Sequence, residues 1–305
     1  MKVINGTRSI AGLNLPVVAL GVFDGMHRAH REILRQTVRL ARKGKGTGVV
    51  VTFWPHPQKQ QSVYSLQHRL KLIAASGIDA CVVIRFDKRF ARMPARDFVR
   101  DILAGRLHAR ALCVGRNFRF GKNAAGDWRL LVRLGRLYGF KVRVFDVIKD
   151  RGHTVSSTLI RRLISAGKLR AAEKLLGRPV TILGTVVRGR SIGKRLGFPT
   201  ANINPHHEVL PPSGIYAVSA EVGRKKFGGA CYIGTRPTFR KKESRSLSRH
   251  IEVHLFGLHP DLYGQDMEIR FLKKIRPDRR FSSVAELVLN IKKDIIAAKK
   301  IISRH

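Results

Sequence analysis

Up to about residue 177, short apolar runs alternate with stretches whose apolar residues recur every three or four positions. The runs predict strands over 16–23, 49–54, 80–86, 111–115 and 141–147, and the periodic stretches predict helices over 30–42, 66–75, 95–104 and 126–138. Two shorter helices, over 156–165 and 169–176, close this half. Apolar strands separated by amphipathic helices indicate a Rossmann-like parallel sheet with helices on both faces. After "LGRPV" the texture changes. Strands are expected over 181–188, 214–222, 226–233, 249–256 and 267–275, separated by Gly and Pro turns, as in an antiparallel barrel. The tail, 282–302, carries Val284, Leu287, Val288, Ile291, Ile295 and Ala298 on one face and predicts a terminal helix packed on that barrel. The expected domains are 1–177 and 178–305, and no internal repeat is visible.

Composition narrows the classes. Residues 10–23 are apolar enough to imitate a secretory core, but Asn14 and Pro16 interrupt them and no small-residue cleavage site follows, so the stretch is expected to be a buried strand. No run is long enough to span a bilayer. Cys81, Cys113 and Cys231 are scattered and fit neither a disulfide framework nor a zinc site, which points to a reducing, cytoplasmic setting. The net charge of +40 attracts polyanions, yet the basic residues are spread over every segment, with no basic tail. No specific nucleic-acid partner is therefore expected.

Candidate chemistry begins at "LGVFDGMHRAHREIL", 20–34. His27 and His30 fall where a strand gives way to a helix, the place where α/β proteins hold ligands and where free N–H groups favour an anion. Two imidazoles on one turn can hold phosphate, hold a metal, or form a solvated pair. Gly21 and Gly25 allow close backbone approach, and Asp24 is the one acidic residue between the strand and the histidines. "VSSTLIRR", 155–162, puts Ser156, Ser157 and Thr158 at a helix start with Arg161 one turn on: an anion cradle, or an ordinary capped helix. "VGRNFRFGKNAAGD", 114–127, is a cationic loop of a length that suits a lid. In the second half, "VVRGRSIGKRLGFPTANI", 186–203, makes a cationic loop from Gly189, Gly193 and Gly197 with Arg190, Lys194 and Arg195. It is no Walker A loop: the spacing is one short, and Arg195 stands where Ser or Thr is required. In "RHIEVHLFG", Ile251, Val253 and Leu255 alternate with His250, Glu252 and His254, so Glu252 lies off the core face. By periodicity alone it is a base, a solvated residue, or part of a His–Glu–His metal triad.

These motifs, in this order, resemble the bacterial bifunctional riboflavin kinase/FAD synthetase family over nearly the whole chain. "GVFDGMHRAH" is similar to its G-x-FDG-x-H-x-GH signature; "TFWPHP", "VGRNFRFGK", "SSTLIR", "GFPTAN", "SGIYAV", "IGTRPTF" and "DLYG" follow. The resemblance implies an HxGH nucleotidyltransferase domain that adenylylates FMN to FAD. Gly21, Phe23, Asp24, His27, His30, Ser157, Thr158 and Arg161 would form its ATP site. It implies a riboflavin kinase domain in which Gly189, Lys194, Gly197, Thr200 and Asn202 hold ATP, Thr200 and Asn202 also hold Mg2+, and Glu252 deprotonates the ribityl 5′-hydroxyl. The small-molecule partners would be riboflavin, FMN and ATP. The chain departs from the pattern at Ala29 (second Gly of the signature), Leu159 (first Arg), Trp54 (an acidic residue) and Tyr232 (an Asn). Ala29 and Leu159 leave open a chain that is a kinase only, and the charge leaves open a nucleic-acid binder on a degenerate HxGH fold.

Overall fold

The computed structural model describes all residues except 8, 9, 11, 59, 60, 151, 190, 191, 207, 237–247, 258–260 and 305. Arg190 and part of "IGTRPTF" therefore lie outside the described residues. The chain divides into two compact units, Met1–Ile160 and Arg161–His305, with the helix Ser157–Ser165 running through the division.

The first unit is built on six strands: β1 (Lys2–Asn5), β2 (Val17–Leu20), β3 (Gly48–Trp54), β4 (Ala80–Arg85), β5 (Ala111–Gly115) and β6 (Lys141–Phe145). Every pairing is parallel, in the order β1-β4-β3-β2-β5-β6. The central strands are buried along their length because the crossovers cover them, which is why they read as continuous apolar runs. The crossovers carry α1 (Arg28–Lys43), α2 (Leu66–Ala74), α3 (Lys88–Ala91), α4 (Ala95–Asp97) and α5 (Trp128–Tyr138). The expected helix over 95–104 is not uniform: from Phe98 to Ala104 it widens to π geometry, with Gly105 N–H donating to Arg100 at 2.8 Å. The expected strand over 16–23 ends at Leu20, because Phe23 turns to φ 53°. A two-stranded ribbon, β7 (Lys149–Asp150) and β8 (His153–Thr154), leads into α6 (Ser157–Ser165), and α7 (Leu169–Leu176) follows.

The second unit is a closed antiparallel barrel in the order β10-β13-β12-β11-β14-β9. Its strands are β9 (Thr181–Val187), β10 (Ala201–Asn204), β11 (Gly214–Val222), β12 (Lys225–Arg236), β13 (Ser248–Leu255) and β14 (Asp266–Arg276), with the short helix α8 (Ile192–Arg195) after β9. The helix α9 (Val284–Ile302) packs against β11, β12 and β14. Ser283 caps it, its Oγ accepting from Glu286 N–H at 3.1 Å, and the Glu286 carboxylate reaches back past the cap to accept from Ser282 N–H at 2.9 Å. Four strands were not expected: the two-residue β7 and β8, and the longer β1 and β10. β1 and β10 are four residues long, too short to display a period of two, and β10 ("ANIN") is half polar.

Candidate active sites

In the first unit the loop between β2 and α1 is the candidate site. His27 is the N-cap of α1; its Nδ1 accepts from His30 N–H at 3.4 Å, so the signature histidines straddle the helix start. Their rings stack 3.7 Å apart with 18° between planes. Phe23 is buried edge-on to His30 at 5.2 Å. No acidic residue occupies the first turn of α1, which leaves its positive end available to an anion. The path from Gly21 to His27 is tight. Phe23 and Met26, neither of them glycine, take φ of 53° and 42°, and a methyl at Gly21 would sit 3.2 Å from the Phe23 ring.

Partners distant in sequence hold this path. Asp24 is buried and its Oδ1 accepts from Val63 N–H at 3.0 Å. The Val22 carbonyl accepts from Arg69 Nη1 at 2.6 Å and from Thr52 Oγ1 at 2.8 Å. Gly25 N–H donates to Ser157 Oγ at 3.1 Å. Ser156 is the residue that caps α6, accepting from Leu159 N–H at 3.3 Å, which leaves Ser157 facing Gly25. Thr158 is exposed, and Arg161 lies one turn further along α6. Phe23 and Asp24 therefore serve the loop from inside, while His27, His30 and Ser157 line its turn. The loop over 114–127 closes on itself through paired hydrogen bonds between Phe120 and Gly126, and the guanidinium groups of Arg116 and Arg129 lie over the ring of Trp128 beyond it.

Arg69, which holds the Val22 carbonyl of this loop, is a residue that motif reading misses. It is fully buried, and burial lowers its pKa while the charge of Asp24 works in the opposite direction. Its guanidinium also lies 5.4 Å over the Trp54 ring, so the departure at Trp54 supplies it with an aromatic face. The available signal was spacing. Arg69 falls at Leu66+3 and Ile73−4, a charge on the apolar stripe of α2.

In the second unit, strand register assembles the site. Glu252 on β13 pairs with Asn202 on β10 to one side and Tyr232 on β12 to the other. Ile251 and Val253 are completely buried, so Glu252 points off the barrel core, as the alternation predicts. Thr200 Oγ1 donates to Glu252 Oε2 at 3.3 Å, and His250 Nε2 contacts Glu252 Oε1. His254 instead donates from Nδ1 to the Pro199 carbonyl at 2.8 Å, tying β13 to the "GFPTAN" turn. His254 thus has a different partner from the His250–Glu252 pair. Among the described residues no cluster of three or more His, Cys, Asp or Glu could hold a metal ion, so the metal-triad alternative has no support.

The glycine loop is fitted to these groups. A methyl at Gly189 would sit 2.0 Å from Asn202 Nδ2, and one at Gly193 would sit 2.4 Å from the Phe198 carbonyl and 3.1 Å from Thr200 Oγ1. Gly197 takes φ 84°, a backbone state that favours glycine. Lys194 lies exposed on α8. Tyr232, where the family pattern has Asn, donates its hydroxyl to Asp278 at 3.2 Å; burial first, then Asp278, pushes the phenol up to about 12. Arg276 makes a two-pronged ion pair with Asp294 of α9, with bonds of 2.9 and 2.8 Å, that fixes the segment carrying Asp278.

Comparison with known proteins follows the same division. A family model described as FAD synthetase matches residues 12–159, and one described as riboflavin kinase matches residues 176–302. The "Bifunctional riboflavin kinase/FMN adenylyltransferase" of Escherichia coli strain K12 is 36% identical over 98% of this chain and 97% of its own length. The protein of the same name from Buchnera aphidicola subsp. Schizaphis graminum is 34% identical over 98% of both. A crystal structure from Streptococcus pneumoniae, described as a macrolide-efflux protein, superposes with a TM-score of 0.81 at 28% identity, covering 96% of this chain and 97% of that one. No helix among the described residues here is long and apolar enough to cross a membrane.

Proposed function

Because the chain belongs to the bifunctional riboflavin kinase/FMN adenylyltransferase family, we propose that it converts riboflavin to FAD in two steps, each consuming one ATP. The observation that carries the kinase step is the grouping of Thr200, Asn202 and Glu252 beside Gly189 and Gly193, where a Cβ would collide with Asn202 and with the Phe198 carbonyl. Glu252 takes the proton of the ribityl 5′-hydroxyl, and that oxygen attacks the γ-phosphorus of ATP while ADP leaves. Gly189, Lys194 and Gly197 form the phosphate-binding loop.

Mg2+ fits this donor set. A Thr hydroxyl and the side-chain oxygen of the buried Asn202 are two hard neutral ligands, and phosphate oxygens complete such a shell. The ion would neutralise charge on the transferred phosphoryl group. The protein's own part is to hold these oxygens, align the hydroxyl and take its proton.

In the adenylyltransferase step a phosphate oxygen of FMN attacks the α-phosphorus of ATP and pyrophosphate departs. Positioning and positive charge do most of the work in such a transfer. His27, His30 and the start of α1 face the phosphates, with Ser157, Thr158 and Arg161 of α6 completing the cradle. Gly21 allows the approach, and Phe23 and Asp24 hold its shape. We divide the activities at 177/178 and place the protein in the cytoplasm, in keeping with three buried, free cysteines.

Incubating the purified chain with riboflavin, ATP and Mg2+ and separating the flavins by chromatography tests both steps. FMN followed by FAD is expected; FMN alone would leave the kinase and remove the adenylyltransferase. Glu252→Gln should lower FMN formation roughly 10²- to 10⁴-fold, the range of general-base contributions. His30→Ala should lower FAD formation from supplied FMN and leave FMN formation intact.

A further inference from the structure

A strand carboxylate with 29% of its side chain exposed has three rotatable bonds and many orientations open to it. A base must hold one oxygen within hydrogen-bond reach of its proton. What fixes Glu252 is therefore part of the chemistry.

His250 stands two residues before Glu252 on β13, on the same face, with 16% of its side chain exposed. Its Nε2 contacts Oε1 of Glu252, while Oε2 receives the hydroxyl of Thr200. An ionised carboxylate only accepts hydrogen bonds, so the imidazole must present an N–H at Nε2. The surroundings of His250 restrict it in turn. Its cross-strand neighbour is Gly234, and the place of a side chain there is taken by the phenol of Tyr232: a methyl at Gly234 would sit 2.2 Å from the Tyr232 hydroxyl. Asp278 holds that phenol from its far end. The Tyr232 phenol thus occupies the side-chain position across the ladder from His250.

We propose that His250 is a positioning residue for the kinase reaction: it anchors one oxygen of Glu252 so that the carboxylate stays turned toward Thr200 and the substrate hydroxyl. This rests on the reading of Glu252 as the base. His250 touches no reacting atom and acts through Glu252.

The test is a double-mutant cycle on riboflavin phosphorylation by the full chain, with FAD formation from supplied FMN and the thermal unfolding curve read on the same preparations. His250→Leu should lower kcat about ten- to hundredfold, the scale of a misplaced catalytic group, while the KM values for riboflavin and ATP stay within about threefold. His250→Gln, which returns an N–H near the position of Nε2, should recover kcat to within about fivefold of the parent. In the Glu252→Gln background, His250→Leu should cost less than about twofold, because groups that act as a unit are not additive. A His250→Leu enzyme with parental kcat, an equal loss in both backgrounds, or a Gln variant no better than the Leu variant would overturn the proposal while leaving Glu252 as base. A fully active Glu252→Gln enzyme would overturn the base assignment itself, and His250 with it. A Leu variant that lost its unfolding transition would move the decision to the Gln variant alone, where a loss of more than about tenfold in kcat overturns the proposal.

Discussion

Glu252 meets Asn202 and Tyr232 because three strands of one barrel share a register, whereas His27 reaches its place because a strained loop is held at Val22, Asp24 and Gly25 by groups 30 to 132 residues away. The first arrangement comes with the sheet, since ladder hydrogen bonds that build the barrel also align the site. The second must be supplied separately, by a buried guanidinium, a carboxylate and a serine hydroxyl. A register-built site should tolerate loss of contacts that do not hold Glu252 itself, but not a change in the space between strands. A loop-built site should weaken when any one of its ties is cut, by an amount that follows the strength of the tie.

The sharpest test of that contrast is Arg69→Met. It strips the Val22 carbonyl of its 2.6 Å donor inside the core, so FAD formation should fall by about a hundredfold or more, the scale expected when catalytic groups move by an ångström. FMN formation from riboflavin should persist. Equal loss of both activities would show that the two regions do not fail independently. Next in size is Gly189→Ala. Its methyl must displace Asn202, and the loss of kinase activity should be about ten- to hundredfold with little change in unfolding temperature, because Gly189 is exposed. Ser157→Ala removes one neutral hydrogen bond to Gly25, worth about 1 kcal/mol, and should slow FAD formation about fivefold.

The smallest effect concerns pH. The Ser282 N–H holds the Glu286 carboxyl below its ordinary value of 4.5. Its contribution to the start of α9 is thus complete above that value and is lost as pH falls through the lower folded value. Glu286→Gln should leave barrel unfolding less sensitive to acid, measured as melting temperature against pH.

How much was legible follows from the same contrast. Alternation in "RHIEVHLFG" put Glu252 off the core because strand periodicity is local. The parallel order of the first sheet was legible in its uniformly apolar runs. The ties on the first loop were not, because Asp24 with Val63 and Ser157 with Gly25 are contacts of the folded chain that leave no periodic mark. Arg69 left a mark, a charge on an apolar stripe, but its partner is a backbone carbonyl, and no side-chain pattern names a carbonyl. Tyr232 was visible as a departure, while its partner Asp278 is set by the turn after β14.

The barrel closes on itself, but the parallel sheet does not: β1 and β6 form its two rims. An open rim is a ready template for another chain emerging beside it. Lys2 stands on one rim and Lys141 and Arg143 on the other, so two such rims approaching each other bring like charges together before any backbone groups can pair. Part of the positive charge of this chain thus stands on the two edge strands, where it opposes edge-to-edge pairing of two copies.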